Sequence, residues 1–489
     1  MIPAASNVDN AVDAIVRPVA DVIKAIVFFD VPAFGADWPL VVVWLVLGGL
    51  FFTVVFLGVN LWGVPLGMAI TAGRYDEEGA PGEVSHFQAL ATALSGTVGI
   101  GNIGGVAVAI VAGGPGATFW MVVAGVLGMA TKFAECTLGV RYRKVNPDGT
   151  VSGGPMYYLD RGLKELGLGG LGKVLGVFYA GGIVVGCLGI GNMFQSNQAA
   201  VQLQAITGGP ETGWLVGWGW AIGLVLAVVV GLVILGGIKS IASVTDKLVP
   251  FMGILYVVGA VTIVAMNAHV LPAALSRIVT EAFTMQGAAG GAVGAMVVGF
   301  QRAVFSNEAG IGSASIAHAA VRTNHPATEG LVATMGPLVD TVIICTLTAL
   351  VVTTTAELDA QYLSQKLEGV ALTSDAFGRQ LWWSPYVIAV AAILFAVSTM
   401  IAWAYYGLKG WTYLLGEATA VKNAYKLVFC LFIIVGAAIE LDAVLDISDA
   451  LVFLLCVPNI LGVGILTPVV WRELRSFLGV VRARWQGAG

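Results

Sequence analysis

The sequence predicts an all-α membrane protein with eleven transmembrane helices. Three observations lead there. The 489 residues are 58% hydrophobic and only 11% charged, whereas a soluble domain averages about 25% charged. The apolar runs are long and continuous, near the roughly 20 residues that cross a hydrocarbon core. They lack a two-residue alternation, so helices rather than a barrel pair their backbone groups in lipid. Short connections join the runs, which predicts one membrane domain over residues 1–489.

At the N-terminus, Asp9 and Asp13 precede any basic residue, unlike a cleaved signal peptide. Residues 11–29 suit a short amphipathic helix at the interface. The first run is 39–66. The second, 87–112, holds "GTVGIGNIGG" (Gly96–Gly105), and the third, 116–140, holds Lys132 and Glu135. Those two lie three apart on one helix face, a spacing that favours a structural ion pair. The connection "GLKELGLGGLGKVLG" (162–176) is glycine-rich and predicts flexibility; it has no strand–loop–helix context for cradling phosphate. The fourth run, 173–200, carries "GIGN" (Gly189–Asn192), then Gln195 and Asn197. Runs 214–236 and 247–268 follow. The seventh, 291–319, contains Arg302, Phe305, Ser306, Glu308 and "GIGS" (Gly310–Ser313). The eighth, 328–355, contains Asp340, Thr341, Thr346 and Thr348. Runs 384–408, 424–440 and 450–471 complete the set.

Charge placement orients the chain. With the N-terminus outside, seventeen of the 24 Lys and Arg fall in inner loops and the tail, five fall outside, and Lys132 and Arg302 lie within spans. This is a positive-inside pattern, and it places the C-terminus in the cytoplasm. Trp38, Trp214, Trp218, Trp220, Trp382 and Trp383 cluster near outer ends, as an aromatic belt does. The five cysteines lie in apolar segments and read as buried small hydrophobes, not as a disulfide framework or metal site.

The glycine strings carry the functional argument. Each glycine costs a helix interior about 1 kcal/mol relative to alanine, and Gly96–Gly105 holds five. "GIGNIG" matches a dinucleotide fingerprint, but it lacks the preceding strand and the acid about 20 residues on. Close helix packing is the bland alternative. Two features favour a site. Thr97 and Asn102 are mid-span polar groups that need partners. The strings near 100 and 310 fall in runs two and seven, and five spans begin at each, so the second set is inverted. Glycine-interrupted helices in matching positions of an inverted repeat point to a secondary transporter's binding site. Unwound carbonyls suit a cation, and a half-helix N-terminus suits a carboxylate. The third string, Gly189–Asn192, reads as close packing beside the site, with Gln195 and Asn197 in reach of a ligand.

From about residue 87 to 470 the chain resembles the alanine or glycine:cation symporters. The resemblance rests on "GTVGIGNIGG", "KFAECTLGVRYR" (132–143), "GGPMYYL" (153–159), "FSNEAGIGSASIAHAA" (305–320), "PLVDTVIICTLTALVV" (337–352) and "STMIAW" (398–403). It implies the leucine-transporter-like architecture. Broken helices at about 87–112 and 291–319 would open repeats 87–268 and 291–471, with 39–66 as an extra helix. It implies sodium-driven uptake of a small neutral amino acid, alanine or glycine, across a cell membrane. Co-transported sodium is then the only cofactor, and the lipid bilayer and the small-molecule substrate the only partners; no organic cofactor, nucleic acid or obligate protein partner is expected. The N–H groups of Ile100 and Gly101, next to Gly99 and Asn102, would take the substrate carboxylate. Carbonyls from Phe305 to Gly312, including Ser306 and Gly310, would take its ammonium, with Phe305 closing the pocket. Ser95, Val98, Ser398 and Thr399 would hold sodium, and Thr97, Asn102 and Ser306 a second ion. Trp403, one turn after Thr399, would shrink the pocket.

Carboxylates within spans are functional by default. Glu308 is expected to anchor the unwound backbone by accepting N–H bonds, or to couple protons. Asp340 lines an ion route or bonds neighbouring helices. Arg302 forms part of an external gate or a structural pair, and His318 packs. A proton-coupled carrier using Glu308 is the alternative function. A membrane-embedded enzyme lacks its motifs, with no H-E-x-x-H and no G-x-S-x-G, and nothing suggests a symmetric pore filter.

Overall fold

The computed structural model describes residues 17–18, 21–33, 36–77, 79–209, 213–284, 291–359, 361–364, 367, 369–438 and 442–487. Residues 21–27 are helical, so part of the expected helix over 11–29 is present; residues 11–16, 19 and 20 lie outside the described residues. The hairpin β1 (Asp30–Ala33) and β2 (Ala36–Pro39) leads into α1 (Leu40–Val55). α2 (Val59–Thr71) leaves α1 at 71°, so the first expected run is bent. The bend has a local cause. Leu57 and Gly58 both adopt positive φ, 53° and 69°, and a left-handed residue ends a right-handed helix.

α3 (His86–Thr97) starts at a capping box. The Ser85 hydroxyl accepts the Gln88 N–H at 3.2 Å, and the Gln88 side chain accepts the Ser85 N–H at 3.2 Å. α4 (Gly101–Gly113) follows at 54°. α5 (Gly116–Arg141) crosses next, then the short hairpin β3 (Lys144–Val145) and β4 (Val151–Ser152). α6 (Pro155–Glu165) and α7 (Gly169–Ile206) come after it. The stretch 162–176 is therefore helical on both sides of a short turn, not a flexible loop. Gly162, Gly172 and Gly176 serve packing: a Cβ at Gly172 would stand 2.5 Å from the Leu159 carbonyl oxygen.

The chain continues through α8 (Gly219–Leu235), α9 (Gly237–Met266), α10 (Leu271–Glu281), α11 (Gly291–Asn307) and α12 (Ala314–His318). α13 (Pro326–Leu358), α14 (Gly369–Gln380), α15 (Ser384–Leu415), α16 (Thr419–Ala438), α17 (Asp442–Ile465) and α18 (Thr467–Gly487) complete it. Among the described residues six helices are long and apolar enough to cross a membrane, and three bent pairs raise the number to nine. The expected runs 214–236 and 291–319 carry shorter helices, α8 and the pair α11 and α12.

Burial separates a centre from a periphery. In α15 and α5 the most apolar windows are 72% and 67% buried, against 28% in α9 and α16. α5 reaches the centre through glycines: a Cβ at Gly128 would stand 2.7 Å from Ala309 Cβ, and one at Gly139 2.8 Å from the Ser315 oxygen. Small residues let helices approach closely where lipid offers no hydrophobic drive. α5 is thereby pressed against α12 and the segment before it. Trp214, Trp218, Trp220, Trp382 and Trp383 are exposed, and the cysteines are free, all but Cys430 fully buried.

Candidate functional site

The first break lies between α3 and α4. Val98 is extended, with ψ 93°. Asn102 then closes a tight turn: its Oδ1 accepts the Gly99 N–H at 2.9 Å, while its own N–H donates to the Gly99 oxygen at 3.1 Å. Ile100 and Gly101 stand at the opening turn of α4, where N–H groups have no intrahelical acceptor and the helix dipole is positive. Buried polar atoms converge on the break. A Cβ at Gly99 would stand 2.8 Å from Thr399 Oγ1 and 3.9 Å from Gln195 Oε1. Both oxygens are buried and lack a hydrogen-bond partner among the described residues. So is the Tyr406 hydroxyl, 2.9 Å from the position a Cβ would take at Gly96.

α15 packs directly on this break. The Ser95 hydroxyl donates to the Ser398 oxygen at 2.6 Å, and the Ser398 hydroxyl donates back to the Ser95 oxygen at 3.3 Å. Ser95, Ser398 and Thr399 are thus brought together, with Val98 buried beside them. The Trp403 indole donates to the Gly96 oxygen at 3.2 Å. Its ring lies where a Cβ at Gly191 would sit, so the third glycine string makes room for Trp403. Within α7, Asn192 donates to the Phe429 oxygen at 2.7 Å. Gln195 faces the break. Asn197, two residues on, faces elsewhere on the helix and accepts from Gln198 at 3.4 Å.

The second break separates α11 from α12, and Glu308, Gly310 and Gly312 adopt positive φ of 55°, 92° and 89°. In a continuous helix the N–H groups of Ala309 and Gly310 would reach the carbonyls of Phe305 and Ser306. They donate instead to Asn307 Oδ1 at 2.9 Å and Glu135 Oε1 at 3.0 Å. The Phe305 and Ser306 carbonyls are released. The Phe305 oxygen lies 3.7 Å from where a Cβ at Gly101 would stand, so the two breaks face each other. Beyond the break, Asn459 donates to the Gly310 oxygen at 2.7 Å and to Glu135 at 2.6 Å, and Tyr179 donates to the Ile311 oxygen at 2.9 Å.

The anchoring expected of Glu308 falls to Glu135. Glu308 itself accepts the Ser313 hydroxyl, closing the same break from within. Lys132 makes no ion pair with Glu135 among the described residues. Glu135 points instead at the second break, where its Oε1 accepts from Gly310 and Asn459, while its Oε2 is buried without a hydrogen-bond partner among the described residues. Asn102 ties the breaks together: it donates to Ser306 Oγ at 2.9 Å and to the Asp340 oxygen at 3.1 Å. Ser306 and Thr341 hydroxyls lie 3.2 Å apart. Thr341 donates to the Asp340 carboxylate, whose Oδ2 lacks a hydrogen-bond partner among the described residues, and Thr97 lies beside that carboxylate. Thr97, Asn102, Ser306 and Asp340 therefore form one buried oxygen-rich cluster. Asp340 belongs to it, and Thr348 fixes the turn by donating to the Asn102 oxygen at 2.8 Å. Arg302 is half-buried in α11.

Sequence reasoning missed Tyr406, Tyr179 and Asn459. Asn459 was detectable as a polar residue inside run 450–471. It also missed Glu329, which lies inside run 328–355 and falls under the same rule as Asp340. His318, expected to be a satisfied packing histidine, is buried and bonds to it.

A family model described as the sodium:alanine symporter family matches residues 24–486. The chain is 39% identical over 440 residues to the sodium/alanine symporter AgcS of Methanococcus maripaludis, covering 90% of this chain and 94% of that protein. It is 34% identical to a probable sodium/glutamine symporter, GlnT, of Bacillus subtilis, over 81% of this chain and 78% of that one. Among solved structures it resembles MhsT in complex with L-phenylalanine, with a TM-score of 0.55 and 13% identity, over 79% of this chain and 90% of that chain. That likeness concerns the leucine-transporter-like fold alone.

Proposed function

The chain belongs to the sodium:alanine symporter family, and from that premise we propose that it carries alanine or glycine into the cell together with sodium, by alternating access. The observation that carries this reading is the meeting of the two breaks around buried oxygens. Thr399 Oγ1 and Gln195 Oε1 lack hydrogen-bond partners among the described residues, and an unsatisfied buried polar atom costs about 1–3 kcal/mol. A cargo that supplies donors and positive charge removes that cost.

The opening turn of α4 takes the substrate carboxylate through the Ile100 and Gly101 N–H groups. The carbonyls of Phe305 and Ser306 take its ammonium. Sodium sits between α3 and α15, on oxygens of Ser95, Val98, Ser398 and Thr399, and carbonyl and hydroxyl oxygens suit such a hard cation. The Asp340 cluster with Thr97, Asn102 and Ser306 is the second cation position. Trp403, wedged against Gly191 and bonded to Gly96, leaves room for a small side chain. The relatives' names span alanine and glutamine, and the Trp403 ring is the reason for preferring the smaller cargo here. The transport unit is eleven spans arranged as an extra, bent N-terminal segment over 39–66 and inverted repeats over 87–268 and 291–471. The N-terminus lies outside, and Arg302 stands on the outer side of the site.

The test is uptake of radiolabelled alanine into proteoliposomes holding the purified chain, with an inward sodium gradient, with potassium, or with a pH gradient. Accumulation with sodium alone is expected. Accumulation with a pH gradient alone would move the coupling to Glu308. Absence of uptake in every arm would remove alanine as the cargo.

A further inference from the structure

On the Lys/Arg-rich side of the molecule, three buried titratable groups from three elements meet. Glu329, in the first turn of α13, is fully buried. Its Oε2 lies 2.5 Å from His86 Nδ1, at the start of α3, and its Oε1 lies 2.6 Å from His318 Nδ1, at the end of α12. α3 and α12 are the half-helices on one side of the two breaks. The adjoining backbone is knit as well. Val84 and Val321 pair in parallel, Arg322 N–H donates to the Val84 oxygen at 2.9 Å, and Glu83 N–H donates to the Ala320 oxygen at 2.8 Å. The Arg143 guanidinium clamps both strands, donating to the oxygens of Pro81, Ala319, Val321 and Thr323 at 2.5–3.0 Å.

We propose that Glu329 is a positioning residue of the transport cycle: α3 and α12, knit together by the Val84–Val321 pairing and Arg143, move as one body, Glu329 latches that body to α13 through His86 and His318, and a proton on His86 tightens that latch. The proposal rests on the carrier reading above.

The charge count gives its sense. With both imidazoles neutral and donating, the cluster holds one buried negative charge. A proton on His86 makes the pair neutral and turns its bond to the Glu329 carboxylate, in which only the acceptor was ionised, into an ion pair with both partners charged. The second ring nitrogen, His86 Nε2, is buried without a hydrogen-bond partner, and Asp76 Oδ1 lies 3.9 Å from it. The added N–H therefore faces a carboxylate. Arg143 and Cys136 are the other titratable groups acting with Glu329. The neighbouring Glu77 is engaged by His325 at 3.3 Å. In this proposal opening toward this side moves α3 and α12 together away from α13, so a tighter latch slows it.

The experiment is alanine exchange in sodium-containing proteoliposomes at pH 6, 7 and 8, with sodium-driven uptake by the wild-type chain as the control for the carrier reading. Wild-type exchange is expected to slow by about fivefold from pH 8 to pH 6, the scale of one hydrogen bond's net contribution. His86→Asn keeps an N–H donor for Glu329 but cannot titrate, and is expected to exchange at one rate across the range. Glu329→Gln is expected to flatten the profile too. An active wild type with a flat profile, or a His86→Asn variant with the wild-type profile, overturns the proposal. A second arm does not depend on those variants. Val84→Cys with Val321→Cys, oxidised to a disulfide, is expected to keep exchanging, because the joined segments travel together. Loss of exchange on oxidation, restored by reduction, overturns the one-body claim.

Discussion

The two helix breaks solve the same problem in opposite ways. Both expose backbone groups at a depth where water cannot pair them. At the break after α11, the protein supplies the partners: Asn307, Glu135, Asn459 and Tyr179 take the N–H groups of Ala309 and Gly310 and the C=O groups of Gly310 and Ile311. At the break after α3, Asn102 takes the Gly99 N–H, but the Thr399 and Gln195 oxygens beside it stay without hydrogen-bond partners among the described residues. One break is a strut held by side chains. The other is a socket, whose open oxygens are the groups proposed to meet cargo, and Phe305 and Ser306 carry the strut into the socket. A substitution at the strut should therefore be read in stability, and one at the socket in transport.

The largest effect is expected at the strut. Glu135→Ala orphans the Gly310 N–H and one of the two N–H donors of Asn459, and each buried unsatisfied group costs about 1–3 kcal/mol. The thermal midpoint of the purified protein should fall sharply and uptake should be lost with it. Glu135→Gln keeps an oxygen for Gly310 and should recover much of the midpoint. If Glu135→Ala unfolds at the wild-type temperature, the strut description is wrong. At the socket the pattern should invert. Gly99→Ala places a methyl 2.8 Å from Thr399 Oγ1, into the space assigned to cargo. Uptake should fall by more than about tenfold, while the midpoint shifts by no more than the about 1–3 kcal/mol of a local overpacking. A Gly99→Ala protein that transports normally would show that the space beside Thr399 is not used.

Thr399→Ala sharpens the socket further, because it removes one oxygen from the sodium set and nothing from the strut. The sodium concentration for half-maximal uptake should rise by about tenfold, equivalent to about 1.4 kcal/mol. Thr399→Ser, which keeps the hydroxyl, should stay near wild type. A sodium dependence that does not move would take Thr399 out of the ion site.

The socket was more legible in the sequence than the strut. Glycine strings at 99–102 and 310–313 disclose where helices must break, since glycine is tolerated there and costly elsewhere. A family pattern then carries Ser398, Thr399 and Trp403 to the first break. The strut depends on residues distant in sequence. Glu135 and Asn459 are 324 positions apart and share the Gly310 backbone. Lys132, three residues before Glu135, is the obvious local partner, and local spacing cannot show that the carboxylate turns toward another helix. The cluster around His318 was hidden in part for the same reason: Glu329 is near it in sequence, but the third member, His86, is 243 residues from that carboxylate. The bend at Leu57 was hidden because its left-handed pair includes a leucine, which no turn rule flags.

The smallest effect is expected where strut and socket share a wall. Trp403 bonds to Gly96 in the first broken helix and lies over Gly191, so it belongs to the socket by position and to the packing by shape. Trp403→Phe removes the indole donor, worth about 0.5–1.5 kcal/mol, and opens space where the second ring lay. Alanine uptake should fall only about threefold, the lower part of that range, and larger neutral amino acids such as glutamine should begin to compete. Competition assays against labelled alanine separate the two outcomes. A variant that weakens alanine uptake without admitting glutamine would make Trp403 a structural residue that holds α3 in place. One that admits glutamine with alanine uptake preserved would assign the size limit to the ring itself, and would place the boundary of the socket at α15 rather than at the glycines of α4.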